Sequence, residues 1–95
     1  MFDQAKMVMK LKKAQKELAN EIIEVSAGEG AVTVRVNGEL KFKKITIDPE
    51  LVDTDDIGEL ERWIESATRE AFEQAQALAA EKMKPLMGGL GNLGM

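Results

Sequence analysis

Two hydrophobic periods divide the chain. Between Asp3 and Glu24, Met7, Leu11, Ala14, Leu18 and Ile22 recur every three or four residues, and Val25 continues the series. That spacing draws one apolar stripe along a helix, with neither proline nor glycine to interrupt it. Asp3 near its start suits the positive end of the helix dipole, and the helix is expected to end before Gly28. From Val32 the period becomes two. Val32, Val34 and Val36 alternate with Thr33 and Arg35, and Leu40 and Phe42 alternate with Lys41 and Lys43, which predicts two half-buried strands. Asn37-Gly38 between them signals a hairpin turn. A two-residue loop would set Val34 opposite Lys41 on one face, whereas a three-residue loop sets it opposite Leu40 or Phe42, so an odd loop is expected. The apolar parity then switches to Ile45 and Ile47 across the doubled Lys43-Lys44, as a β-bulge requires. Phe42 shares the valine face and is expected in the core. Ile22 to Ala27 offers a further short strand, with Gly28 and Gly30 making the turn after it.

Asp48-Pro49 ends the sheet. Asp53, Thr54 or Asp56 can cap a second helix, and Asp56 with Glu59 resembles a capping box. From Ile57 onward a second stripe runs through Leu60, Ile64, Ala67, Ala71, Ala75 and Leu78, broadened by Trp63 and Phe72. This helix is expected to reach about Lys84, where Pro85 stops it, leaving Pro85 to Met95 as a flexible Gly/Met-rich tail behind a single domain over residues 1–84. At 1.5 Å per residue such a helix is about 42 Å long. A compact chain of 95 residues has a radius of gyration near 12 Å, hence a diameter of about 32 Å. The helix overshoots its own domain, and a second copy sharing the exposed surface is the expected remedy. The fold class is α+β.

Charge changes this picture. The net value of −4 hides a dipole: Met1 to Lys16 carries five lysines against Asp3 alone, whereas Glu50 to Lys84 carries ten acids against four bases. Local rather than total charge decides which surface meets phosphates. Lys6, Lys10 and Lys13 share one helical face, and Lys12 and Lys16 form a second row beside it. This ridge reads two ways, as a solvated face partly neutralised by Glu17 and Glu21 or as a phosphate-contacting surface. Arg35, Lys41, Lys43 and Lys44 read either as solvent-facing strand positions guarding an edge or as a second basic patch.

Chemistry is sparse. The chain has neither cysteine nor histidine, which removes thiolate nucleophiles, the commonest metal ligands and the usual general base at neutral pH. The acids Asp53, Asp55, Asp56 and Glu59 lack calcium-loop spacing and read as helix-start charge. Gly88, Gly89, Gly91 and Gly94 lack the lysine and following helix of a phosphate loop. No metal, cofactor, small-molecule substrate or enzyme activity is expected. No stretch is suited to a membrane span, and the N-terminal residues lack a secretory hydrophobic region, so a reduced cytoplasmic setting is expected.

The order of these pieces resembles a known family. KLKKAQKEL (Lys10 to Leu18) leads through EVSAGEGAVTVRVNGE (Glu24 to Glu39) to KITIDPEL (Lys44 to Leu51), and an alanine-rich helix ending in EKM (Glu81 to Met83) follows. This resembles the YbaB/EbfC family of nucleoid-associated proteins along residues 1–84. The resemblance implies an α-β-β-β-α protomer with a small antiparallel sheet, flanked by two long projecting helices, in a tweezer-like homodimer. It also implies binding to double-stranded DNA in the nucleoid, with a role in chromosome organisation and gene regulation. The family's contacts from the projecting helices fall most naturally on Lys6, Lys10, Lys12, Lys13 and Lys16, and on Lys82 and Lys84 near the end of the last helix. The family often places a GGLGNL-like run before the first helix, whereas here GLGNL (Gly89 to Leu93) lies at the C-terminal end of the sequence. The alternative is a non-enzymatic adaptor dimer that docks a partner protein through its helices and C-terminal tail.

Overall fold

The computed structural model describes the backbone of residues 2–93 and the side chains of residues 4–86. The order is α1 (Phe2–Asn20), β1 (Ile22–Ala27), β2 (Val32–Asn37), β3 (Phe42–Ile47), a 3-10 turn (Pro49–Leu51) and α2 (Ile57–Leu93). The sheet is antiparallel in the order β1-β2-β3. This is the α-β-β-β-α arrangement that the sequence implied.

Val32, Val34 and Val36 project from one face of β2 and are fully buried, with Val25 of β1 beside them. Ala67, Ala71 and Ala75 of α2 pack against them. Their four-residue spacing keeps one small-residue face on the sheet, so the helix backbone can approach closely. Trp63, Ile64 and Phe72 flank that contact, half-buried. Asp56 caps α2 as expected, its Oδ1 accepting from the Glu59 amide at 3.2 Å.

Three expectations need correction. The first helix stops at Asn20, not Glu24, and Ile22–Ala27 forms the short strand that the sequence also offered, with Ile23, Val25 and Ala27 turned toward α2. The reason is tertiary: the hairpin takes over the carbonyls of the last helical turn. Gly38 N donates to Leu18 O at 2.8 Å, and Asn37 Nδ2 donates to Ala19 O at 3.2 Å. Second, α2 does not end at Pro85 but runs on to Leu93. Proline removes one amide donor, aimed at Glu81 O in a regular helix, and the cost of about 3 kcal/mol is borne by the rest of the long helix. The backbone of the Gly/Met segment is helical as far as Leu93, and the side chains of residues 87–95 lie outside the described residues. Third, Phe42 is half exposed rather than in the core, its ring meeting Phe72 edge-on at 5.0 Å between centroids.

The odd hairpin loop is present. Asn37 N donates to Lys41 O at 2.9 Å, enclosing Gly38, Glu39 and Leu40, and Leu40 takes the left-handed conformation at φ 65°. Val36 lies opposite Phe42 and Val34 opposite Ile45, so Val34 is not paired with Leu40 or Phe42. The register shifts between Arg35 and Val36, which leaves Lys43 as the extra residue of the expected bulge.

The molecule is long. Its radius of gyration is 18.2 Å and its extents are 62 × 24 × 15 Å, against about 12 Å for a compact chain of this size. The 37 residues of α2 span about 55 Å.

Candidate nucleic-acid interface

α1 packs along α2 through its apolar stripe, in which Leu11 is half-buried and Ala14 and Leu18 are buried. The helices run antiparallel. Glu17 meets Lys82, and nearer the start of α1, Lys10 and Lys13 line one groove with Pro85 and Leu86. The N-terminal half of α1 and the C-terminal part of α2 thus leave the sheet together as one arm.

Burying the stripe fixes where the lysines go. Lys6, Lys10, Lys12, Lys13 and Lys16 are all exposed on the remaining faces of α1, and none is in an ion pair among the described residues. Like charges at i and i+4 cost an isolated helix a few tenths of a kcal/mol, roughly 0.2 to 0.5, so the ridge gains from an anionic partner. The structure separates the two lysines of α2. Lys84 is exposed, whereas Lys82 is half-buried and its Nζ donates to Glu17 Oε2 at 3.1 Å. The hydrogen bond and the charge of Glu17 hold the Lys82 ammonium above its usual pKa. Lys10, Lys13 and Lys82 are brought together along a groove of about 210 Å³ between the helices. Lys6, Lys12 and Lys16 stand outside it.

Sequence reasoning missed two pairings. Glu17 counted as a partial neutraliser of α1, yet it ties α1 to α2. Arg35 counted among the basic residues of the hairpin, yet its Nε donates to Glu24 Oε2 at 2.8 Å across β1 and β2. The second was accessible once the Glu24–Arg35 register was known.

A second surface is apolar. α2 lies across β1 and β2 and reaches β3 through Phe72, so Phe42, Ile45 and Ile47 remain 41–49% exposed, with Leu51 and Ile57 nearby in sequence exposed to the same degree. A trough of about 460 Å³ runs along α2 at Ile64, Glu65 and Thr68. Phe72 continues that helical row at i+4 from Thr68, which places the trough on the flank of α2 turned toward β3. Among the described residues, no group of side chains is arranged to hold a metal ion, and no helix is long and apolar enough to cross a membrane.

A three-stranded sheet carries an antiparallel helical arm, and the lysines along the arm stand on an open surface. The chain belongs to the YbaB/EbfC DNA-binding family, whose model matches residues 1–90. A nucleoid-associated protein of Chloroflexus aurantiacus is 46% identical over 87 residues, covering 92% of this chain and 87% of the relative. One from Ruminiclostridium cellulolyticum is 46% identical over 88 residues, covering 93% and 76%. One from Saccharopolyspora erythraea is 44% identical over 86 residues, covering 90% and 74%. An uncharacterized protein of Helicobacter pylori, known from its crystal structure, has the same fold, with a TM-score of 0.74 at 20% identity, covering 92% of this chain and 87% of that one.

Proposed function

We propose that this protein is a nucleoid-associated homodimer that binds duplex DNA chiefly through contacts between lysines of α1 and phosphates, and so helps to organise the chromosome. The observation that carries the reading is the ridge of Lys6, Lys10, Lys12, Lys13 and Lys16, exposed and in no ion pair among the described residues, on an arm of a chain whose net charge is −4. Family membership and the nucleoid-associated relatives support DNA as the partner. Lys84 adds an exposed charge on the α2 side of the arm, and Lys82 contributes less because Glu17 already holds it.

The uncovered apolar face at Phe42, Ile45 and Ile47 supports the dimer. A second copy laid over β3 and the adjoining flank of α2 removes that face from water and leaves one arm on each side. With lysines alone on the ridge, phosphate contact dominates and base readout is weak.

The test is anisotropy of a labelled duplex of ~30 bp, about three helical turns, titrated at several salt concentrations. If about four phosphates are neutralised per protomer, log K falls with log salt at a slope of about −3 to −4 for one arm and up to twice that for two. Lys6→Glu/Lys10→Glu/Lys13→Glu should abolish binding while leaving the circular dichroism unchanged. A slope near zero sinks this reading. The adaptor alternative draws support from Val8 and Met9, 49% and 70% exposed on α1. It predicts that the triple variant keeps its partner and that truncation after Pro85 loses it.

A further inference from the structure

The sheet has a second face, which neither the arm nor the apolar surface uses. Ile23, Val25, Val32, Val34 and Val36 turn toward α2, so their neighbours along the strands turn the other way. Two cross-strand rows result. One is Ser26, Thr33 and Thr46, with Ser26 Oγ and Thr33 Oγ1 3.0 Å apart. The other is Glu24, Arg35 and Lys44. The bulge sets Lys43 beside Lys44, so two lysines stand against the single Arg35. Lys41, opposite Asn37 at the hairpin end, adds a third. Glu24 and Arg35 neutralise each other, whereas Lys41, Lys43 and Lys44 are exposed and in no ion pair among the described residues.

We infer that this outer sheet face is a second phosphate-contacting surface for duplex DNA, with Lys41, Lys43 and Lys44 supplying the charge and the hydroxyls of Ser26, Thr33 and Thr46 supplying neutral donors. The inference rests on the DNA-binding reading and adds a site to it. Hydroxyls and lysines are among the side chains that contact phosphate oxygens and sugars. The face is also rigid. Asn37 Oδ1 accepts from Glu39 N at 2.9 Å and Lys41 N at 3.1 Å, and its Nδ2 is bonded to Ala19 O. One buried side chain therefore fixes the hairpin lysines relative to the last turn of α1 and its ridge. A second copy seated on Phe42, Ile45 and Ile47 covers the opposite side of the sheet and leaves these lysines open. The competing account is that they only guard the edge strand β3 against pairing with other chains.

The experiment compares the wild type with Lys41→Gln/Lys43→Gln/Lys44→Gln and with Lys41→Arg/Lys43→Arg/Lys44→Arg, in duplex titrations across salt. Removing one lysine–phosphate pairing makes the slope of log K against log salt shallower by about 0.9. In the glutamine variant the slope should become shallower by between about 1 and 3 per engaged protomer, and the arginine variant should restore it. An unchanged slope in a glutamine variant that retains wild-type circular dichroism overturns the inference, and aggregation of that variant then assigns the lysines to edge protection. Unchanged DNA binding, together with failure to bind poly-L-glutamate, gives the surface to an acidic protein and overturns it too. A wild type that binds no duplex at low salt removes the DNA reading itself, and this site with it.

Discussion

Lys82 Nζ donates to Glu17 Oε2 at 3.1 Å, a bond between residues 65 positions apart that pins the C-terminal part of α2 to α1. It divides the lysines of the arm into two kinds. Lys82 is engaged with the protein, whereas Lys10 and Lys13 across the same groove have no such partner among the described residues.

Lys82→Gln should therefore weaken DNA binding less than Lys10→Gln does. An unpaired lysine that contacts one phosphate contributes about 0.9 to the salt slope, and Lys82→Gln should remove only a fraction of that. Its other effect should be on the arm, read as faster amide exchange near the start of α1. The pH dependence follows from the direction of the shift. Glu17 raises the Lys82 pKa above its ordinary 10.5, so the pairing stabilises the fold fully below that value and fades as pH rises through the folded-state pKa. The stability difference between wild type and Lys82→Gln should be flat from pH 7 to 9.5 and shrink above about 10.5. A difference already vanishing at pH 8 would contradict the assignment.

Among the described residues, Asn37 is the most connected buried polar side chain. It is 2% exposed, accepts from two amides of its own hairpin and donates to α1. Asn37→Ala strands those groups, each at about 1 to 3 kcal/mol, and should lower Tm by roughly 10 °C or more. Asn37→Asp keeps the acceptor, loses the donor and sets a negative charge at the negative end of the α1 dipole. Its loss should be smaller than that of alanine and should ease at acid pH. Thermal melts of the two variants check the order.

Much of the fold was legible because local rules agreed with the global answer. The valine alternation, the doubled lysine at the bulge and the Leu60 to Leu78 stripe each sat where periodicity placed them. The end of α1 was only half legible: Ile22 to Ala27 reads as a strand, yet Ile22 and Val25 also continue the helical stripe, and the docking of Asn37 and Gly38 on the last turn decides between the two. Pro85 was misleading for a related reason, since a single local penalty does not end a helix this long. Phe42 was misplaced because its alternation correctly gives the face but not whether α2 extends far enough to cover it. The ridge of α1 could be read from spacing, but the engagement of Lys82 by Glu17 needed the antiparallel register of two distant helices.

Gly28 and Gly30 offer a controlled pair in the turn after β1. Both have positive φ, 64° and 96°, but a Cβ on Gly28 would fall 2.5 Å from the Trp63 ring, whereas a Cβ on Gly30 meets nothing within 4 Å. Gly30→Ala should lose only the conformational cost of left-handed backbone, about 1 to 2 kcal/mol. Gly28→Ala should lose more, because the ring must also move. Trp63 is the sole tryptophan, so its emission should shift in Gly28→Ala and stay put in Gly30→Ala. Equal destabilisation with unchanged emission would show that the turn does not rest on the indole.

Ile45 tests the second copy. It lies opposite the fully buried Val34 on the core-facing side of the sheet, yet it is 44% exposed because α2 does not reach across β3. A carboxylate there costs the isolated chain little, since water already reaches the position, but it cannot be buried unpaired between two copies. Ile45→Glu should sediment as a monomer at concentrations where the wild type is a dimer. The concentration dependence of Tm should disappear with it, because only association ties stability to protomer concentration. DNA affinity should fall as well: one arm per particle roughly halves the salt slope expected for two, although every lysine of α1 is intact. A variant that remains dimeric would move the interface away from β3, whereas a monomer with the full wild-type slope would mean that one arm does all the binding.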